Sequence, residues 1–150
     1  MTQVAIKRQF ATKKSFVLYF RYLFACDETG LPAACRLLES MPASTRGKAF
    51  FEVADAAEIQ DLRCHLSVDV VWLLRNGLEP GKNTLLQHAL RGVRFPSDET
   101  VYAWAAAEAE IAAAIRSAWS TIKRPEFRHT ATGYWKLGKS EDDYRAGAEG

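Results

Sequence analysis

The stretch SDETVYAWAAAEAEIAAAIRSAWSTI, Ser97–Ile122, decides how the rest of the chain is read. Ser97 or Asp98 can accept the unpaired backbone N–H groups of a first helical turn, and Asp98 and Glu99 suit the positive end of a helix dipole. Alanine dominates the interior and loses no side-chain entropy on becoming helical. Val101, Trp104, Ile111, Ile115, Ala118 and Ile122 recur at spacings of three, four and seven, so a helix would place them on one face. Pro125 forbids continuation. The expectation is one long helix.

Working outward, Ile59, Leu62, Leu66, Val70, Leu73 and Leu74 repeat at helical spacing, and Gly77 follows Asn76 as a helix terminator. This predicts a helix over 56–76. A shorter helix over 83–94 follows the Pro80–Gly81 turn, and segments 32–41 and 45–54 are two further helical candidates separated by Pro42. The first 26 residues fit either a helix or a hairpin pairing Val4–Phe10 with Phe16–Phe24. Val17 is the only β-branched residue from Phe16 to Phe24, so helix is favoured. The fold expected is mainly α: one compact bundle of about five helices over residues 1–139, with Trp72, Trp104 and Trp119 as core anchors. Residues 140–150 read as a flexible acidic tail.

The chain has 150 residues, 48% hydrophobic and 25% charged, which excludes wholesale disorder and favours one domain. Cys26, Cys35 and Cys64 are too few and too scattered for a disulfide scaffold, which fits a reducing, cytoplasmic setting. The run Phe16–Cys26 is too short to span a bilayer and contains Arg21. A lipoprotein-type signal ending at Cys35 is disfavoured by Asp27, Glu28 and Thr29 where apolar residues should stand. No membrane association is expected.

Charge is segregated. Residues 1–26 carry +5, residues 27–122 carry −4, residues 123–139 carry +4 and the last eleven carry −3. Two basic flanks around an acidic middle are the most informative feature of the composition.

Catalytic and ligand motifs are weak. In GLEPGKNT, Gly77–Thr84, three residues separate the glycines and Asn83 follows Lys82, so the phosphate-loop pattern fails. Cys64 and His65 are adjacent, and on a helix their side chains would diverge, while His88 and His129 stand alone. No metal site, no cofactor and no catalytic residue is expected, and the protein is read as a non-enzyme. A helix-turn-helix formed by 56–76 and 83–94, exposing Gln87, His88, Arg91 and Arg94, is disfavoured by its six-residue turn.

The segment KRPEFRHTATGYWKLGK, Lys123–Lys139, carries the strongest functional hint. Lys123, Arg124, Arg128, Lys136 and Lys139 suit phosphates, and Tyr134 and Trp135 can stack bases or cover the core. With Lys7, Arg8, Lys13 and Lys14 they form the expected nucleic-acid-binding set. The leading expectation is a non-catalytic accessory protein contacting nucleic-acid backbone or a ribonucleoprotein complex. Small helical subunits of CRISPR effector complexes supply the architectural analogy. The alternative is a protein-binding regulator or inhibitor acting through an aromatic surface, and homo-oligomerisation is compatible with either.

Overall fold

The computed structural model describes residues 3–7, 20–62, 67–95 and 98–148. It corrects the helical-bundle expectation: the chain is an α/β protein built on one six-stranded sheet. The strands are β1 (Gln3–Lys7), β2 (Phe20–Cys26), β3 (Arg46–Val53), β4 (Ser67–Leu74), β5 (Thr100–Glu108) and β6 (Phe127–Trp135). The helices are α1 (Leu31–Ser40), α2 (Leu85–Arg91), α3 (Ala109–Trp119) and α4 (Glu141–Ala148), with a 3-10 turn at Ala56–Glu58.

Strand order is β1-β4-β3-β2-β5-β6. The five strands from β2 to β6 run parallel to their neighbours, and only the edge strand β1 pairs antiparallel, with β4. After the edge strand β1, the chain enters the middle of the sheet at β2, steps outward to β3 and β4, then crosses back to the other side for β5 and β6. Helix α1, between β2 and β3, lies on one face with Phe24, Phe51, Val53 and Trp72. Helices α2 and α3 lie on the other face with Phe50, Val71, Val101 and Phe127. Right-handed crossovers demand this split, because outward steps in opposite directions put their helices on opposite faces.

The burial explains why the sequence pattern misled. Strands covered on both faces need no polar alternation and read as continuous apolar runs. In β5, Ala103, Ala105 and Ala107 face α2 and α3, Ala106 faces α1, and all four are fully buried. The expected helix over 97–122 is therefore a buried strand followed directly by α3, whose N-terminus Glu108 caps by accepting from the Glu110 and Ile111 N–H groups. The expected helix over 56–76 is a 3-10 turn and then β4, and the candidate over 45–54 is β3. The expected segments 32–41 and 83–94 do carry helices, α1 and α2.

Toward the N-terminus, β2 is a parallel strand between β3 and β5, and it does not pair with β1. The expected hairpin turn lies outside the described residues. Trp72 and Trp119 are buried, whereas Trp104 is half-buried among Phe24 and Tyr134. Residues 141–148, expected in a flexible tail, form α4, and Tyr144 donates its hydroxyl to the Gly133 carbonyl at 2.7 Å. No helix among the described residues is long and apolar enough to cross a membrane.

Candidate functional site

Every parallel strand ends at the same edge of the sheet, and most end in a polar side chain. Asp27 follows β2, Glu52 stands near the end of β3, Arg75 follows β4, Glu108 ends β5 and Trp135 ends β6. Four of these are charged and almost fully buried, with Asp27 at 6% exposure, Glu52 at 1%, Arg75 at 5% and Glu108 at 2%. Buried charges persist only when paired or hydrogen-bonded: Arg75 and Glu52 pair with each other, and Asp27 and Glu108 are held by hydrogen bonds from neutral donors.

Arg75 is the clamp. Its two terminal nitrogens donate to both carboxylate oxygens of Glu28 at 2.7 and 2.8 Å, and Nη1 also reaches Glu52 Oε1 at 3.3 Å. A planar guanidinium is suited to such a forked contact. Burial works against its charge, but the hydrogen bonds and charges of Glu28 and Glu52 outweigh it and raise its pKa. One side chain thereby ties the ends of β4 and β3 to the loop after β2.

Asn83 Nδ2 donates to the same Glu52 oxygen at 3.0 Å and to the Glu79 carbonyl at 3.1 Å, while its Oδ1 accepts from the Leu85 N–H that opens α2. Glu52 Oε2 has no partner among the described residues. Burial raises the Glu52 pKa, and the hydrogen bonds of Asn83 and Arg75 only partly offset it.

On the other side of β2, Asp27 Oδ1 accepts from the Thr29 N–H and hydroxyl, and Oδ2 accepts from the Trp135 indole at 2.8 Å. Trp135 thus reaches from the end of β6 across β5 to the β2 loop, with its ring against Gly81, where a Cβ would come within 2.8 Å. Glu108 Oε1 accepts the Leu137 N–H at 3.2 Å, fixing the turn after β6.

Between these two networks lies the start of α1. Gly30 must be glycine, since a Cβ there would stand 2.7 Å from Cys26 Cβ and 3.0 Å from both Ala106 Cβ and its carbonyl. The helix therefore begins hard against the ends of β2 and β5. Its first turn has no side-chain cap and no acidic residue; Pro32 carries no N–H and the Ala34 N–H bonds to the Gly30 carbonyl, which leaves the Leu31 and Ala33 N–H groups and the positive end of the dipole for an anion. Burial pushes the pKa of the Cys26 thiol up, with Asp27 adding to the effect, so the thiol stays neutral. Among the described residues, no group of three or more His, Cys, Asp or Glu side chains is placed to hold a metal ion.

The expected nucleic-acid-binding residues do not form one surface. Lys7 lies in β1, and Arg8, Lys13 and Lys14 lie outside the described residues. Lys123, Arg124 and Arg128 sit at the start of β6, with Arg124 half-buried and donating to the Glu99 carbonyl. Tyr134, Trp135, Lys136 and Lys139 sit at its far end. At about 3.3 Å per strand residue, the backbone of Arg128 is roughly 26 Å from that of Lys136. Tyr134 packs edge-on against Trp104, and Trp135 is committed to Asp27. The charge strip seen along the sequence is thus divided between opposite ends of the sheet.

The residues that do converge, Asp27, Glu28, Gly30, Glu52, Arg75, Asn83 and Glu108, were not singled out as a site by the sequence reading. One signal was present: the apolar runs FRYLFAC, KAFF, VDVVWLL and AWAAA are each followed at once by a charged residue, Asp27, Glu52, Arg75 and Glu108. That is how strands entering a common polar edge appear in a sequence.

Comparison with known proteins identifies the family. A sequence model described as siderophore-interacting protein matches residues 19–138. The ferric vibriobactin reductase ViuB of Vibrio cholerae is 31% identical over 131 residues, covering 82% of this chain and 45% of that protein. The crystal structure of a siderophore utilization protein from T. fusca superposes with a TM-score of 0.71 at 41% identity, over 80% of this chain and 46% of that one. The siderophore-interacting protein SipS from Aeromonas hydrophila shares the fold, with a TM-score of 0.70 at 24% identity, over 86% of this chain and 51% of that one. The chain spans about half the length of the curated relatives it matches. These findings overturn the nucleic-acid accessory reading and its regulator alternative. The chain belongs to the siderophore-interacting protein family.

Proposed function

We propose that this chain forms the pyridine-nucleotide-binding part of a ferric-siderophore reductase. One observation carries the reading: strand order reverses between β2 and β5, and at that point the uncapped start of α1 faces the polar edge. In open doubly wound sheets, ligands bind in the crevice outside the carboxyl ends of the strands where the order reverses, and dinucleotides place their pyrophosphate on the helix that follows the first strand. Here that strand is β2, and its loop CDETG carries one glycine instead of the three of the common dinucleotide fingerprint. Gly30 does the work of the fingerprint's third glycine, the close packing of helix on strand.

The relative's name supplies the chemistry, reduction of iron held by a siderophore. A reduced nicotinamide gives up a hydride, two electrons at once, whereas each ferric ion takes one. Balance therefore requires two ferric ions per nucleotide, one proton released, and an intermediary that accepts a hydride and passes on single electrons, the chemistry of a flavin. This chain's own residues would bind the pyrophosphate at the first turn of α1 and hold the crevice open through the Arg75 and Trp135 contacts.

Titrating the protein with NADH and NADPH, read by nucleotide fluorescence, tests the proposal. Saturable binding of at least one, lost in Gly30→Val, is expected. Absence of binding of both at millimolar concentration overturns it.

A further inference from the structure

The loop after β3 bears on which pyridine nucleotide the crevice takes, an inference that rests on the reading just proposed. In a doubly wound sheet the acid that follows the second strand of the β-α-β unit hydrogen-bonds the ribose 2′-hydroxyl, whereas an arginine near that point accommodates a 2′-phosphate. The unit here is β2-α1-β3, and the polar residue just past β3 is Asp55, twenty-five residues beyond Gly30. Asp55 is exposed. Its Oδ1 accepts the Ala57 N–H at 2.8 Å and starts the 3-10 turn, leaving Oδ2 without a partner among the described residues. Glu58 ends the same turn and is exposed too.

The cations nearby already have partners, Arg75 in a buried cluster and Lys82 in an exposed pair. Arg75 is 5% exposed, and its guanidinium is taken by Glu28 and Glu52. Freeing it for a phosphate would strand two carboxylates, one of them buried. Lys82 pairs with Glu79 at 2.6 Å in the loop after β4. Among the described residues from 54 to 62 and from 75 to 84, Asp55, Glu58, Asp61 and Glu79 stand against Arg75 and Lys82. A 2′-phosphate would meet an excess of negative charge, and a free 2′-hydroxyl would meet an acceptor.

We infer that the crevice selects the nucleotide lacking a 2′-phosphate, NADH over NADPH, and that Asp55 is the residue that discriminates. Asp55→Asn is the informative variant, because it keeps the acceptor for the Ala57 N–H and removes only the charge. The wild-type chain is titrated with NADH and NADPH at matched ionic strength, and Asp55→Asn and Asp55→Arg follow. Wild type is expected to bind NADH about tenfold tighter. Asp55→Asn should shrink that ratio by raising NADPH affinity, and Asp55→Arg should invert it. Equal affinities in wild type, tighter NADPH binding, or a ratio unmoved by Asp55→Asn overturns this inference and leaves the nucleotide proposal standing. Absence of binding of both nucleotides overturns the nucleotide proposal, and this inference with it. Should either variant fail to fold, competition of 5′-AMP and 2′,5′-ADP against NADH on the wild-type chain decides: displacement by 5′-AMP alone supports rejection of the 2′-phosphate, and equal displacement refutes it.

Discussion

Glu52 occupies an unusual position for a carboxylate, beneath the polar edge with one oxygen bound by Arg75 and Asn83 and the other without a partner among the described residues. Its pKa is raised in the fold because burial outweighs those contacts. The sign follows from linkage. A carboxyl that holds its proton more tightly when folded adds stability fully below its unfolded pKa, and that stability is lost as pH rises through the folded value. The wild-type chain should therefore gain stability through this group as pH falls toward the ordinary glutamate range. Glu52→Gln, which keeps an acceptor for Asn83 and Arg75, should lose that part of the slope. Thermal midpoints of both proteins at several pH values check this. The midpoint of the wild type should rise relative to that of Glu52→Gln as pH falls. Parallel curves would show that Glu52 titrates as an ordinary surface carboxyl.

At the scale of elements, β3 enters the sheet through Gly47, which lies beside Tyr22 of β2. A Cβ at Gly47 would stand 2.0 Å from the Tyr22 carbonyl oxygen, a backbone atom that cannot swing aside. Gly47→Ala should force the two strands apart, costing on the order of 2–3 kcal/mol by the scale of overpacked sites, against almost nothing for Gly147→Ala, where the site is open. Urea unfolding of the two variants checks the contrast. The same crowding explains what was legible in the sequence. Helix α1 could be read because Pro32 and the Ala34, Leu38 spacing belong to an ordinary surface helix with one buried face. Strand β5 could not, since Ala103, Ala105, Ala106 and Ala107 are small to let helices approach on both faces, and small residues also make good helices. In β4, Val68, Val70 and Val71 carried a β-branched signal, which a chance match of leucines to helical spacing obscured. The site failed for a related reason: Asp27, Glu52, Arg75 and Glu108 come from four strands and meet only when the sheet forms.

Across the whole molecule, the two ends of the sheet are independent electrostatic environments. The exposed cations Lys123 and Arg128 stand at the beginning of β6, one strand length from the polar edge where α1 starts. Their roughly 26 Å separation from that edge is about three screening lengths at physiological ionic strength. A ligand that binds only the folded state stabilises it by mass action, by about 2.7 kcal/mol at one hundred times its dissociation constant. NADH at that excess should then raise the thermal midpoint by roughly 5–10 °C. Replacing Lys123 and Arg128 together by alanine should leave this increment unchanged, because neither side chain feels the nucleotide's phosphates. Gly30→Val should abolish the increment, by pushing the start of α1 away from the ends of β2 and β5. Differential scanning fluorimetry of the three proteins with and without NADH separates the ends. An increment that falls in the double-alanine variant would place the anion at the start of β6, and the proposed crevice would be wrong.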